Sequence, residues 1–321
     1  MARIASLGSA LQDIYLIDYD DLTASGLNGK AIYGKVEVGS KVDIDKLSYE
    51  VGGAGVNSTI TFSRHGHEAI LIGNIAHDSA GNLIVKTLDK EGVDTSYLNF
   101  IGRKATGTSV ILVDSKTGER TILTYRGTSE QFGNLSENDL DLIQPDYLYV
   151  SSLHGDLETL KRFLKKASEL KVRVAFNPGV KELAQKEQLM KLLPFVNILI
   201  VNKSEASKLV PGVTLVELIY HLKNYADTVI ITDGPMGGIA ANADEAYRFG
   251  LYDDTHPVKD TTGAGDAFGS GFVAHLADGH SFKDSLVFAS ANSSAVVTKY
   301  GANKGIIDGD TKLRPMLIQK L

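Results

Sequence analysis

Short apolar runs alternate along the chain with segments whose apolar residues recur at helical spacing, and the alternation changes character twice. Arg3–Leu7 is a short apolar stretch stopped by Gly8-Ser9, which predicts a strand and then a turn. Val56–His65 has helical spacing, Ala69–Ile72 reads as a buried strand, and Asn82–Lys90 is helical again. From about residue 145 the order becomes regular. The runs Tyr147–Val150, Val172–Phe176, Val196–Val201 and Thr228–Thr232 predict strands, with helices at Leu157–Leu170, Glu182–Leu193, Glu205–Leu209 and Leu215–Tyr225 between them. Repeated βα units of this kind predict an α/β fold, a mainly parallel sheet with helices on both faces. Two long periodic segments follow, Ala267–Ala277 and Ser285–Lys299.

Two stretches break the alternation. Residues 14–51 and about 97–125 are rich in Tyr, Val, Ile, Thr and Gly, with few helix signals. Within the second, Thr108–Val113 and Arg120–Tyr125 flank Ser115-Lys116-Thr117-Gly118, a hairpin signal. We read both stretches as a small sheet inserted over one end of a single domain spanning 1–321. No repeat, low-complexity segment or flexible linker interrupts the sequence.

Composition narrows the class. The chain of 321 residues carries 33 Lys and Arg against 39 Asp and Glu, a net charge of −6, with no dense basic block. A nucleic-acid footprint is therefore not expected. No apolar run approaches the roughly 18 residues of a membrane span, and the polar N-terminus does not read as a secretory signal. With no cysteine there is no disulfide, thiolate metal site or cysteine nucleophile. A cytoplasmic enzyme or binding protein is the expectation.

Ligands of parallel α/β sheets sit beyond the carboxyl ends of the strands. The most informative segment there is Asp260-Thr261-Thr262-Gly263-Ala264-Gly265-Asp266, which runs straight into a predicted helix. Small residues before a helix leave backbone N–H groups unobstructed and, with the helix dipole, suit them to phosphate. A carboxylate beside such a cradle, Asp266, is placed to accept the proton of a hydroxyl attacking phosphorus. The bland alternative is a glycine-rich turn with an acid in the first helical turn. Gly52-Gly53-Ala54-Gly55-Val56-Asn57 opens the first long helix; its glycines permit close backbone approach, and Asn57 both donates and accepts hydrogen bonds. Asn202 and Glu205 follow a strand at i, i+3, where they serve either a hydrated divalent cation or ordinary helix capping. Thr232-Asp233-Gly234-Pro235-Met236-Gly237-Gly238 is a further strand-end turn, or a plain hairpin. No P-loop is present, and Phe268 stands where a dinucleotide fingerprint needs its third glycine. His65 and His67 have no third metal ligand nearby in sequence, and Asn57-Ser58-Thr59 is only a formal glycosylation acceptor.

Taken together, these motifs resemble the ribokinase-like (PfkB-type) carbohydrate kinases over nearly the whole chain, from Gly8 through Gly301. The resemblance implies a three-layer α/β/α domain with a small β-sheet lid, and ATP-dependent phosphorylation of a hydroxymethyl group. It implies an anion hole at Gly263, Ala264 and Gly265 with Asp266 as general base. Sugar would be held by Asp13, Gly52, Gly53 and Asn57. The nucleotide would be held by Asn202, Thr232, Gly234 and Gly237, with Glu205 acting indirectly on Mg²⁺. Several members also hold a monovalent cation such as K⁺, whose ligands here would be Asp260, Thr262 and the loop around Gly301. The implied partners are a small sugar or nucleoside and, through the lid, a second copy of the chain. Two positions depart from the family pattern. Ala54 stands where ribose kinases carry Lys, which argues against ribose, and Ala76 stands where a glycine is usual. Arg103, Lys104 and Arg126 are available should the substrate itself carry phosphate. A catalytically silent sugar-binding relative is the alternative outside the enzyme class; the intact Asp266 and Glu205 argue against it.

Overall fold

Strands buried on both faces need uninterrupted apolar runs, and the βα units of this chain supply them. The computed structural model describes residues 1–19, 39, 41, 43–113, 120–253 and 255–321. In chain order its strands are β1 (Arg3–Leu7), β2 (Leu11–Tyr19), β3 (Ile44–Gly52), β4 (Glu68–Ile75), β5 (Leu98–Phe100), β6 (Gly107–Val113) and β7 (Arg120–Tyr125). Then come β8 (Tyr147–Val150), β9 (Arg173–Phe176), β10 (Ile198–Asn202), β11 (Thr228–Thr232), β12 (Gly238–Ala241), β13 (Ala246–Phe249) and β14 (Ile318–Lys320). The helices are α1 (Ala54–Arg64), α2 (Ser79–Lys90), α3 (Asp139–Ile143), α4 (Leu157–Glu169) and α5 (Val180–Leu183). They continue as α6 (Lys186–Met190), α7 (Lys203–Leu209), α8 (Leu215–Leu222), α9 (Ala264–Ala277) and α10 (Phe282–Val296).

Ten strands form the large sheet in the order β14-β13-β12-β11-β10-β9-β8-β1-β4-β5. Pairing is parallel from β11 through β5 and antiparallel across β11–β12–β13–β14. One core layer packs α4 and α8 against one face through residues such as Phe163, Leu164 and Leu218. The other packs α1, α9 and α10 through Ile60, Phe272 and Leu286. The result is the three-layer α/β/α arrangement with a mainly parallel sheet, and a separate small sheet beside it.

That small sheet runs β3-β2-β6-β7. Its register gives each face a distinct character. Tyr15, Ile17, Ile111 and Val113 point inward and form a small core with Tyr300. Ile14, Leu16, Leu47, Tyr49, Val110, Leu112 and Leu123 share the opposite face.

Several elements differ from the pattern reading. Leu98–Phe100, inside the stretch assigned to the small sheet, instead pairs with β4 at the edge of the large one. Composition marks a strand but not which sheet edge receives it. The single helix expected over Glu182–Leu193 is broken into α5 and α6, where Gln185 turns its side chain to bond Gly155 O at 2.7 Å. Helix α9 starts three residues earlier than the apolar period suggests, which places Gly-Ala-Gly-Asp in its first turn. The turn expected at Ser115–Gly118 lies outside the described residues. Among the described residues no helix is long and apolar enough to cross a membrane.

Candidate active site

The carboxyl ends of the parallel strands carry the chemistry-bearing turns, and the contact between α1 and α9 brings two of them together. Gly263 caps α9 in the left-handed region (φ 79°), and a Cβ there would lie 2.5 Å from Ala302 O. Only glycine fits such a position. The first-turn amides of a helix have no intrahelical acceptor; Ala264 N–H reaches Thr261 O at 3.3 Å. Gly265 is exposed, with nothing within 4 Å of where its Cβ would be. The helix therefore presents bare N–H groups and its positive dipole end to an open space.

Asp266, in the same first turn, is half-buried and accepts a hydrogen bond on Oδ2 from Asn57 Nδ2 at 2.8 Å. Asn57 is itself buried, and its Oδ1 accepts from Asn303 Nδ2 at 3.2 Å, while Asn303 also bonds Val51 O at 2.8 Å. Burial pushes the Asp266 carboxyl above the usual carboxylate range, and the Asn57 N–H opposes that shift. A carboxylate so poised is a better proton acceptor than one in water.

The early glycines have a different surrounding from the one their sequence suggests. A Cβ at Gly52 would sit 2.1 Å from Asp13 Oδ2, at Gly53 2.4 Å from Ser9 O, and at Gly55 2.7 Å from the Gly8 carbonyl carbon. The close approach that these glycines permit is thus made by the protein's own backbone and by Asp13. Asp13 is buried on β2 with Ser109 as its hydrogen-bond donor. Burial is the main reason its carboxyl is pushed up to about 7, with Asp260 and Glu50 adding to the shift.

The motifs after β10 and β11 lie side by side, since Asn202 pairs with Thr232 in register. Asn202 Oδ1 accepts Glu205 N–H at 2.9 Å while Glu205 Oε2 accepts Asn202 N–H at 2.8 Å, so the two residues cap α7 reciprocally. Burial pushes the Glu205 carboxyl up. Thr232 through Gly238 does form a hairpin, with a 3₁₀ turn at Gly234–Met236. Thr232, Gly234 and Gly237 line a cavity of about 120 Å³ together with Ala264, Gly265 and Phe268. The strand-end turn and the bare helix end thus open onto one space. A larger cavity of about 440 Å³ lies at the opposite, amino ends of β1 and β4, beside Arg3 and Glu68, which pair with each other.

Residues far apart in sequence complete the surroundings. Asp260 Oδ1 accepts from Thr262 N–H and Oγ1, and its Oδ2 accepts from Tyr15 Oη at 2.8 Å. Arg120 Nε lies 3.4 Å from Asp260 Oδ1, and its Nη2 bonds Thr261 Oγ1. Glu182 is buried and accepts four bonds, from Ser152 Oγ and the N–H groups of Leu153, Gly155 and Gly179. The loops after β8 and β9 are tied through it. Asn303, Tyr15, Arg120 and Glu182 carried no local motif. His65 and His67 gather with His275, at ring separations of 6.0 and 6.1 Å from His65, yet no group suited to a metal ion forms among the described residues.

Residues 1–308 match the family described as pfkB family carbohydrate kinase. The ribokinase of Haemophilus influenzae is 27% identical over 265 residues, covering 79% of this chain and 83% of that protein. The ATP-dependent 6-phosphofructokinase of Thermoanaerobacterium thermosaccharolyticum is 25% identical over 307 residues, 91% of this chain and 92% of the relative. Among solved structures, ribokinase from Cryptococcus neoformans in complex with ADP superposes with a TM-score of 0.74 at 25% identity, covering 97% of this chain and 98% of that one.

Proposed function

The chain belongs to the pfkB family of carbohydrate kinases and is itself a carbohydrate kinase; from that premise we propose that it transfers the γ-phosphoryl group of ATP to a hydroxymethyl group of a sugar or nucleoside. The observation that carries this reading is the 2.8 Å bond from Asn57 to Asp266, which joins the sugar element to the anion turn. Asp13, Gly52, Gly53 and Asn57 surround the sugar. Asp266 accepts the proton of the attacking hydroxyl as its oxygen bonds to the γ-phosphorus and the bond to the β-phosphate oxygen breaks, releasing ADP. Backbone N–H groups of Gly263, Ala264 and Gly265 take up charge on the transferring group. Asn202, Thr232, Gly234 and Gly237 bind the nucleotide, in keeping with the cavity that the last three share with Gly265.

The donor set also suits Mg²⁺, since Glu205 engages only Oε2 in capping and leaves Oε1 to hold a metal-bound water. When bound, the ion supplies charge neutralisation at the β- and γ-phosphate oxygens. The small sheet closes over the sugar and excludes water that would hydrolyse ATP. Its outer face, where Leu47, Tyr49, Leu123 and Tyr125 are each more than half exposed, pairs with a second copy of the chain.

Substrates already bearing phosphate are the second reading. Lys104 is engaged with Glu130 at 3.1 Å, whereas Arg126 is exposed and, with Lys181, adds to the burial that lowers the basicity of His154. The deciding experiment assays pentoses, hexoses, their phosphates and nucleosides with ATP and Mg²⁺, using wild type and Asp266→Asn. Sugar-dependent ADP release that falls at least about 100-fold in a folded Asp266→Asn variant is expected. Near-normal turnover in that variant removes the assigned base, and no ADP release with any acceptor leaves a silent relative.

A further inference from the structure

Asp260 is 1% exposed and sits directly before the anion turn. Burying a carboxylate is costly, and a positive group beside it offsets that cost. A monovalent cation from solution is one source, but these residues do not fit one. Oδ1 already accepts two hydrogen bonds, from Thr262 N–H and Oγ1, Oδ2 accepts one from Tyr15, and the positive charge that a cation would bring is already at Oδ1. A guanidinium, Arg120, has its Nε 3.4 Å from Oδ1 and its Nη2 on Thr261 Oγ1. Arg120 and Tyr15 come from β7 and β2 and project from the same inward face of the small sheet; Arg120 pairs with Val113, and Val113 with Ile17. Two strands of the small sheet thus grip one carboxylate, more than 100 residues away in sequence.

We propose that Arg120 is a positioning residue for phosphoryl transfer, its guanidinium balancing Asp260 in place of a bound monovalent cation and fastening the small sheet to the 260–265 turn. Thr261 and Thr262 lead straight into Gly263, whose left-handed backbone and contact with Ala302 leave the turn little slack. A displacement of Asp260 therefore reaches the amides at the start of α9. The catalytic half of this inference rests on the kinase reading above; the charge-balancing half does not.

The test compares wild type with Arg120→Gln in choline, sodium and potassium chloride at equal ionic strength, reading the thermal midpoint and kcat. Wild type is expected to show the same midpoint and kcat in all three salts. Arg120→Gln is expected to lose about tenfold or more in kcat, as a misplaced turn would cause, and to regain part of both its midpoint and its kcat in potassium chloride. Potassium-dependent stability or turnover in wild type overturns the proposal, as does an Arg120→Gln variant that matches wild type in choline. If no acceptor is phosphorylated, the kinase reading fails, while the thermal midpoints still decide whether Arg120 carries the charge.

Discussion

Gly52–Gly55 and Gly263–Gly265 look alike on paper: small residues ahead of a helix, each a plausible ligand cradle. Their surroundings separate them. At the first turn the places where side chains would project are filled by Asp13, Ser9 and Gly8, so packing between α1 and the end of β1 is what demands glycine there, and only the backbone is left to face a sugar. At the second, Gly263 is held by Ala302 while Gly265 faces open space. Small residues thus have two physical uses, letting the protein approach itself and letting something else approach the protein. Only the second use leaves N–H groups free for an anion.

Substitution separates the two uses most sharply. Gly53→Ala puts a methyl 2.4 Å from Ser9 O at φ 97°, and a loss of at least about 3 kcal/mol in chemical denaturation is expected. Gly265→Ala meets no atom and replaces glycine by a better helix former, so stability should hold or rise by about 0.5 kcal/mol. On the proposed anion-hole role its kcat should nonetheless fall about tenfold, because the methyl would enter the space assigned to the phosphoryl group. A Gly265→Ala enzyme with full turnover would show that the open space beside the second turn is not used by the reaction.

Asp13 sharpens the comparison through pH. Its folded-state carboxyl titrates at about 7 rather than 3.8, mainly through burial. The native state thus holds a proton that the unfolded chain releases, and this contribution to stability is full below the unfolded value and is lost as pH rises through about 7. Sugar hydroxyls donate best to the ionised form. The sugar KM is therefore expected to rise about tenfold per pH unit below about 7, with the ATP KM flat and the dependence absent in Asp13→Asn. A pH-independent sugar KM in wild type would detach Asp13 from the sugar. The smallest effect is expected on the outer face of the small sheet: Leu123→Lys should change protomer stability by no more than about 0.5 kcal/mol, yet turn a sedimenting dimer into monomer. A monomeric wild type would remove that interface.

What could be read from sequence was local. The βα order from residue 145 and the Gly-Ala-Gly-Asp turn rest on neighbouring residues, and α9 begins where the turn demands. Asn303 escaped because its meaning depends on Asn57, 246 positions away. Arg120 and Tyr15 escaped for the same reason, since only sheet register places them over Asp260. The antiparallel strands β12, β13 and β14 are too short, at three or four residues, to show a period. Asn202 and Glu205 show the converse. Their spacing was legible, and capping, one of the two uses that it allowed, is what their hydrogen bonds perform.

Glu182 has a consequence of its own. With each carboxylate oxygen accepting two hydrogen bonds, it has little capacity left for a ligand, and it freezes the rims after β8 and β9 into one unit. Two loops fixed to each other in this way move together or not at all. On the proposed reading, acceptor preference would then vary more readily through the four-stranded sheet than through these loops.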